Sequence, residues 1–168
     1  GEEARASVDR CRELLEDRQG RPPGLETPAG ALWLFMVGSQ ADRFRGMGAL
    51  DEAEAEHDAI RQSLEKTDGD AAQRHLAATY HQLGWVSQDR GDLSGAETWY
   101  HKSLEINESL ENRPGMAANY HQLGMVSQDR GDLTGTETWY RKSLEITESL
   151  GNRPGMAQTY HGLGTVSQ

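Results

Sequence analysis

Residues 80–119 and 120–159 are one 40-residue sequence written twice with eight differences, and residues 160–168, YHGLGTVSQ, open a third copy. A fixed period between about 20 and 50 residues marks a repeat architecture, in which each unit is too small to bury its own apolar face and must stack on its neighbours. No other feature of the sequence constrains the fold as strongly.

Each copy divides into two helical stretches. The first runs from about Pro114 to Arg130, with Asn112 as N-cap and Pro114 in the first turn, where a missing N–H costs nothing. Gly131 ends it. The second starts at Asp132, another capping residue, carries Leu133, Trp139, Tyr140, Leu144, Ile146 and Leu150, and breaks at Gly151-Asn152-Arg153-Pro154. Tyr120, Leu123, Gly124 and Ser127 form one face of the first helix. Thr136, Trp139, Tyr140 and Ser143 form the corresponding face of the second. The expected unit is an antiparallel helix pair, repeated into an all-α, right-handed α-solenoid of seven to eight helices.

Older copies lie upstream. Leu50, Ala53, His57 and Ile60 align with Leu93, Ala96, Tyr100 and Ser103 at an offset of 43, which we read as a connection three residues shorter. Pro28 to Arg45 is then the preceding helix, with Trp33, Val37, Ala41 and Phe44 on one face. Ala4, Val8, Cys11, Arg21 and Pro22 align with Ala96, Tyr100, Ser103, Arg113 and Pro114. The expected organisation is a single array: 1–27, the second helix of a truncated repeat with a linker; 28–72, a divergent repeat; 73–112 and 113–152, full repeats; and 153–168, the first helix of a further repeat. Starting and stopping in mid-repeat suggests a segment of a longer array, whose open ends invite end-to-end self-association.

Composition narrows the chemistry. A formal net charge of −10 without a basic run disfavours nucleic acid and anionic membrane as partners. The most apolar stretch, Trp33 to Val37, is far shorter than the ~20 residues of a membrane span. Cys11 is the single cysteine, so an internal disulfide and a cysteine-based zinc site are excluded, and a cytoplasmic location is expected. The sequence contains no Gly-rich phosphate loop, His-Glu-x-x-His or Gly-x-Ser-x-Gly. We expect no enzyme activity and no cofactor.

The Leu-Gly pair, Gly-Asp-Leu, a small residue, Tyr, Ser-Leu-Glu-Ile and Asn-Arg-Pro-Gly-Met-Ala together resemble the tetratricopeptide repeat, in the variant of about 40 to 42 residues found in kinesin light chains, Leu-Gly-Asn-type adaptors and large bacterial regulators. The resemblance covers residues 28–168 well and 4–27 weakly. Ser103 and Ser143 stand where the family usually has Ala, and Thr136 replaces the small Ala96; their hydroxyls are expected to bond to the preceding turn's carbonyl. The first full repeat has Gln40-Ala41 in place of Leu-Gly.

The resemblance implies a protein-interaction scaffold whose first helices line a concave peptide-binding groove. The matching positions are His81, Gln82, Trp85, Gln88 and Asp89, then His121, Gln122, Met125, Gln128 and Asp129, and finally His161 and Thr165. Trp85 and Met125 would anchor apolar side chains, while the carboxylates would favour Lys or Arg in the ligand. The expected partner is a protein or peptide, basic with apolar anchors. Two rival readings are a regulatory arm controlling an attached effector domain and a structural oligomerisation element. A metal site on His81, His121 and His161 is disfavoured, because packed helices lie about 8–10 Å apart whereas zinc-bound nitrogens lie near 2 Å from the ion. Trp99 and Trp139 are expected to pack between repeats, His75 and His101 to face solvent, and Glu108 and Glu148 to lie on solvated faces.

Overall fold

The computed structural model describes residues 2–17 and 22–166, and among them every regular element is helical. Eight helices follow in order: α1 Glu2–Leu15, α2 Pro28–Gly46, α3 Leu50–Leu64, α4 Asp70–Asp89, α5 Leu93–Ser109, α6 Arg113–Asp129, α7 Leu133–Ser149 and α8 Arg153–Val166. The side chains of Ala4, Val8, Cys11 and Thr165 lie outside the described residues, as do Arg21 and Gln168. Two compact units divide the chain, Gly1–Val86 and Ser87–Gln168.

Local chemistry explains where the helices begin. Thr27, Asp92, Asn112 and Asp132 each accept a hydrogen bond from the backbone N–H three residues on, satisfying a donor that the first turn cannot. Gly91, Gly131 and Gly151 hold φ of 82°, 75° and 65° between the helices, a conformation that costs glycine little. At the position matching Gly151 the other copy carries Glu111, at φ 51°.

In the Gly1–Val86 unit, α2 packs against α1 and α3. Trp33, Val37, Ala41 and Phe44 are all buried, as the periodicity requires, and Phe44, Ala53 and Val86 form a cluster. Trp33 Nε1 donates to Glu16 at 2.9 Å, while Arg12 pairs with Glu16 and Glu56, both at 2.6 Å. The connection following α3 is longer than its counterpart, not shorter. Five residues, 65–69, separate α3 from α4, against three, 110–112, between α5 and α6. An offset larger than the period adds residues to the connection.

In the Ser87–Gln168 unit, α6 packs against α5 and α7, and α8 against α7 and α6. Tyr120, Leu123, Gly124 and Ser127 are buried, as are Thr136, Tyr140 and Ser143. Trp139 is half-buried, stacked on Tyr120 with ring centroids 5.8 Å apart and edge-on to His101 at 5.8 Å, so it packs between repeats as expected. Trp99 is half-buried under Lys102, whose Nζ lies 4.5 Å from the ring centre.

The hydroxyl expectation holds for Thr136, which donates to Asp132 O at 2.7 Å, and fails for Ser143, which donates across to Ala117 O on α6 at 2.9 Å. Helix packing offers Ser143 a buried acceptor outside its own helix. Around Ser103, Asn119 and Asn107 donate to Oγ at 3.0 and 3.4 Å. In the next copy Thr147 and Thr159 replace these asparagines, and Thr159 lies 3.5 Å from Ser143 Oγ. Two of the eight differences therefore surround one buried serine.

Glu108 and Glu148 are exposed, yet each accepts a hydrogen bond from the first tyrosine of the following helix. Tyr120 Oη lies 3.1 Å from Glu108 and Tyr160 Oη 2.8 Å from Glu148; in the other unit Tyr80 Oη lies 2.9 Å from Glu65. Glu108 and Glu148 thus lie on solvated faces, as expected, and in addition brace successive helices.

Candidate functional site

The twelve groove positions divide between the two units. In the Gly1–Val86 unit, His81, Gln82 and Trp85 are half-buried on α4. Trp85 is not an open apolar surface. The His81 ring meets it edge-on at 5.0 Å, and the Arg45 guanidinium carbon from α2 lies 4.5 Å from its ring centre. A cation over an indole face is attracted by the ring quadrupole, so Trp85 already has a partner. Gln82 Oε1 is buried without a hydrogen-bond partner.

In the Ser87–Gln168 unit, Gln88 at the end of α4 accepts the Tyr100 hydroxyl on Oε1 at 3.0 Å and donates from Nε2 to Asp129 at 3.1 Å. Gln128 repeats the first bond with Tyr140, at 3.0 Å. The glutamines thus orient the buried tyrosines beneath them and, through Gln88 and Asp129, join the surfaces of α4 and α6. Gln122, Met125 and Gln128 are half-buried; Asp89, Asp129 and His161 are exposed. Thr165 belongs to α8, its side chain outside the described residues.

His121 differs from His161. It turns inward, 5.3 Å from the Tyr140 ring, with Nδ1 3.4 Å from Thr159 Oγ1. Burial lowers its proton affinity below the ordinary histidine value, because a charged imidazolium is poorly solvated there. Burial raises the Tyr140 pKa, and the nearby Asp129 carboxylate adds to the shift. Among the described residues, no group of three or more His, Cys, Asp or Glu side chains could hold a metal ion.

Sequence reasoning missed His57. It occupies the position of Tyr100 and Tyr140, is only 3% exposed, and its Nε2 has no partner. Burial, the leading cause, lowers its pKa; Asp42 opposes the shift and Arg45 adds to it. The signal was present as a histidine breaking a repeated tyrosine, but alignment alone did not say that the ring was buried. His75 and His101 are exposed, as expected.

Among the described residues, no helix is long and apolar enough to cross a membrane. No curated protein matches the sequence. The chain is similar in structure to BtubC (BKLC) from P. vanneervenii, with a TM-score of 0.75 and 20% identity, over 98% of this chain and 65% of that one. It therefore spans just under two thirds of that protein's length, and the likeness speaks to fold alone. Two tetratricopeptide-repeat profiles match residues 76–113 and 115–168, together more than half of the chain. With paired helices, capped starts and glycine-punctuated turns recurring on the same period, the chain belongs to the tetratricopeptide-repeat family.

Proposed function

We propose that this chain holds a partner polypeptide along the face formed by its first helices, through His81, Gln82, Trp85, Gln88, Asp89, His121, Gln122, Met125, Gln128, Asp129, His161 and Thr165, as part of a larger multidomain protein. Tetratricopeptide repeats generally mediate protein–protein interaction, which supplies the class of function. The Gln88–Asp129 hydrogen bond carries the assignment to this face. It links equivalent surfaces of successive repeats, making an exposed strip longer than one repeat, as an extended peptide requires.

The preferred ligand is a peptide with Lys or Arg beside apolar residues. Asp89 and Asp129 are exposed on this face, and the chain's formal charge of −10 favours a cationic partner. Met125 offers a half-buried flexible thioether that adapts to varied apolar groups. The test is a peptide-array screen on the wild type and on Trp85→Ala combined with Met125→Ala. Basic, apolar-flanked hits that the double substitution weakens by tenfold or more support the assignment. Acidic hits, or unchanged binding with the fold preserved, place the contact on another face.

A further inference from the structure

Within the Gly1–Val86 unit, a cleft of about 140 Å³ opens among α2, α3 and α4. Its polar lining comes from Asp42 on α2, His57 on α3, and His75, Thr79 and Gln82 on α4, with Leu34 and Ile60 among its apolar contacts. The cleft has a local cause. In the later repeat Tyr140 fills the matching space so closely that a Cβ on Gly124 or Gly162 would come within 2.6 Å of its ring. The divergent repeat has His57 in place of that tyrosine, with Ala41 matching Gly124 and Gln82 matching Gly162. A shorter ring leaves room, and Gln82 presents a polar group at its edge.

Two atoms in this cleft are buried without partners: His57 Nε2 and Gln82 Oε1. Unsatisfied buried polar atoms cost free energy, and a pair lining one opening calls for a hydrogen-bonding occupant. Gln82 Oε1 accepts, and so does the Asp42 carboxylate. A neutral imidazole protonated on Nδ1 makes Nε2 a third acceptor. Gln82 also carries amide N–H donors, but the unpartnered atoms, with the Asp42 carboxylate beside them, are acceptors that an occupant donating hydrogen bonds would satisfy. Arg45 lies near enough to influence His57 and opposes a second cation, but the Asp42 carboxylate acts on the same ring more strongly and in the opposite sense.

We propose that this cleft receives the cationic end of a Lys or Arg side chain from the bound peptide, with His57, Gln82 and Asp42 accepting its hydrogen bonds and Leu34 and Ile60 contacting its aliphatic stem. This rests on the groove reading, since Gln82 belongs to that face, and adds a specificity site that the regular repeats, filled by tyrosine, do not offer. Burial favours the neutral form of His57, which keeps its ring from repelling the ligand.

The test follows the His57 ring and the Gln82 side-chain amide by NMR while short peptides carrying a single Lys, Arg or norleucine at one position are added. Lys or Arg peptides should shift both signals and the norleucine peptide should not. Gln82→Leu, on a half-buried side chain, should weaken binding of the cationic peptide at least tenfold. Equal shifts from norleucine, no shift from either cation, or unchanged affinity in folded Gln82→Leu protein would overturn the proposal. Methylammonium matching the peptide at equal concentration would overturn the peptide as source. Repeating the titration in the Trp85→Ala, Met125→Ala protein separates the two readings: shifts that survive there sustain the cleft even if the wider groove assignment fails.

Discussion

Tyr140 lies so tightly against Gly124 that a Cβ at that glycine would come 2.6 Å from two carbons of the tyrosine ring. The ring is 1% exposed and its hydroxyl is held by Gln128, so it has no free space into which to retreat. Gly124→Ala should therefore destabilise the protein by about 1–2 kcal/mol, overpacking outweighing the roughly 1 kcal/mol by which alanine favours a helix. Gly164, also in a helix but with nothing within 4 Å of a Cβ, is the control; Gly164→Ala should be neutral or stabilising. Urea unfolding of the two variants checks this, and equal midpoints would refute the close-approach argument.

This pairing also marks how much the sequence could reveal. The helix pairs, the buried faces of α2 and α6, and the caps Asn112 and Asp132 were all readable, because each follows from local periodicity or from a side chain acting within one turn. The Tyr120–Glu108 brace, the bond from Ser143 to Ala117 and the Arg45 cover on Trp85 were not. Each joins residues on different helices, and the repeat offset reports equivalence between positions but not which positions touch. His121 illustrates the same limit: it shares a helix face with Met125, yet its ring turns inward to Tyr140 and Thr159. For the candidate groove the sequence offered positions on a helix face, not the partners that those side chains already have.

Glu111 occupies φ 51°, where its counterpart is Gly151 at φ 65°. An L side chain in this left-handed region costs roughly 1–2 kcal/mol, partly offset by the greater unfolded-state freedom of glycine. Because Glu111 is exposed, Glu111→Gly should raise stability by about 1 kcal/mol. Thermal unfolding should show a higher midpoint; a lower one would mean that the carboxylate makes a compensating interaction.

Stability should fall as the solution is acidified below about pH 6.5. His57 and His121 both have lowered pKa values in the folded chain, chiefly through burial. Unfolded, each protonates near 6.5, so between that value and the depressed folded one the unfolded state binds more protons. Their contribution is complete above the unfolded pKa and is lost as pH falls through the folded one. Glu56 works in the opposite sense, its pKa raised by burial against the pull of Arg12, so Glu56→Gln should be carried in every protein compared. In that background, urea midpoints at pH 7.5 and 5.5 should differ less in His57→Gln and in His121→Gln than with both histidines present. An unchanged difference in both variants would mean that neither ring is sealed in the folded protein.

Arg45 supplies the sharpest test of ligand charge. Its guanidinium covers Trp85 at 4.5 Å, occupying the aromatic face that a basic peptide would seek and placing a like charge in that ligand's path. Half-buried, it contributes to Trp85 a cation–π contact worth about 0.5–1 kcal/mol at exposed sites and more where water is excluded, so Arg45→Ala should lower stability. Its effect on binding should be of opposite sign. Removing the positive charge and uncovering the indole should tighten a Lys- or Arg-containing peptide severalfold, with the gain shrinking as salt rises, since exposed charges are screened over about 10 Å at 0.1 M. Titration calorimetry at low and high salt would measure both. If the same substitution instead weakens a basic peptide, Arg45 is itself a ligand contact, and repulsion from its charge does not limit binding on this face.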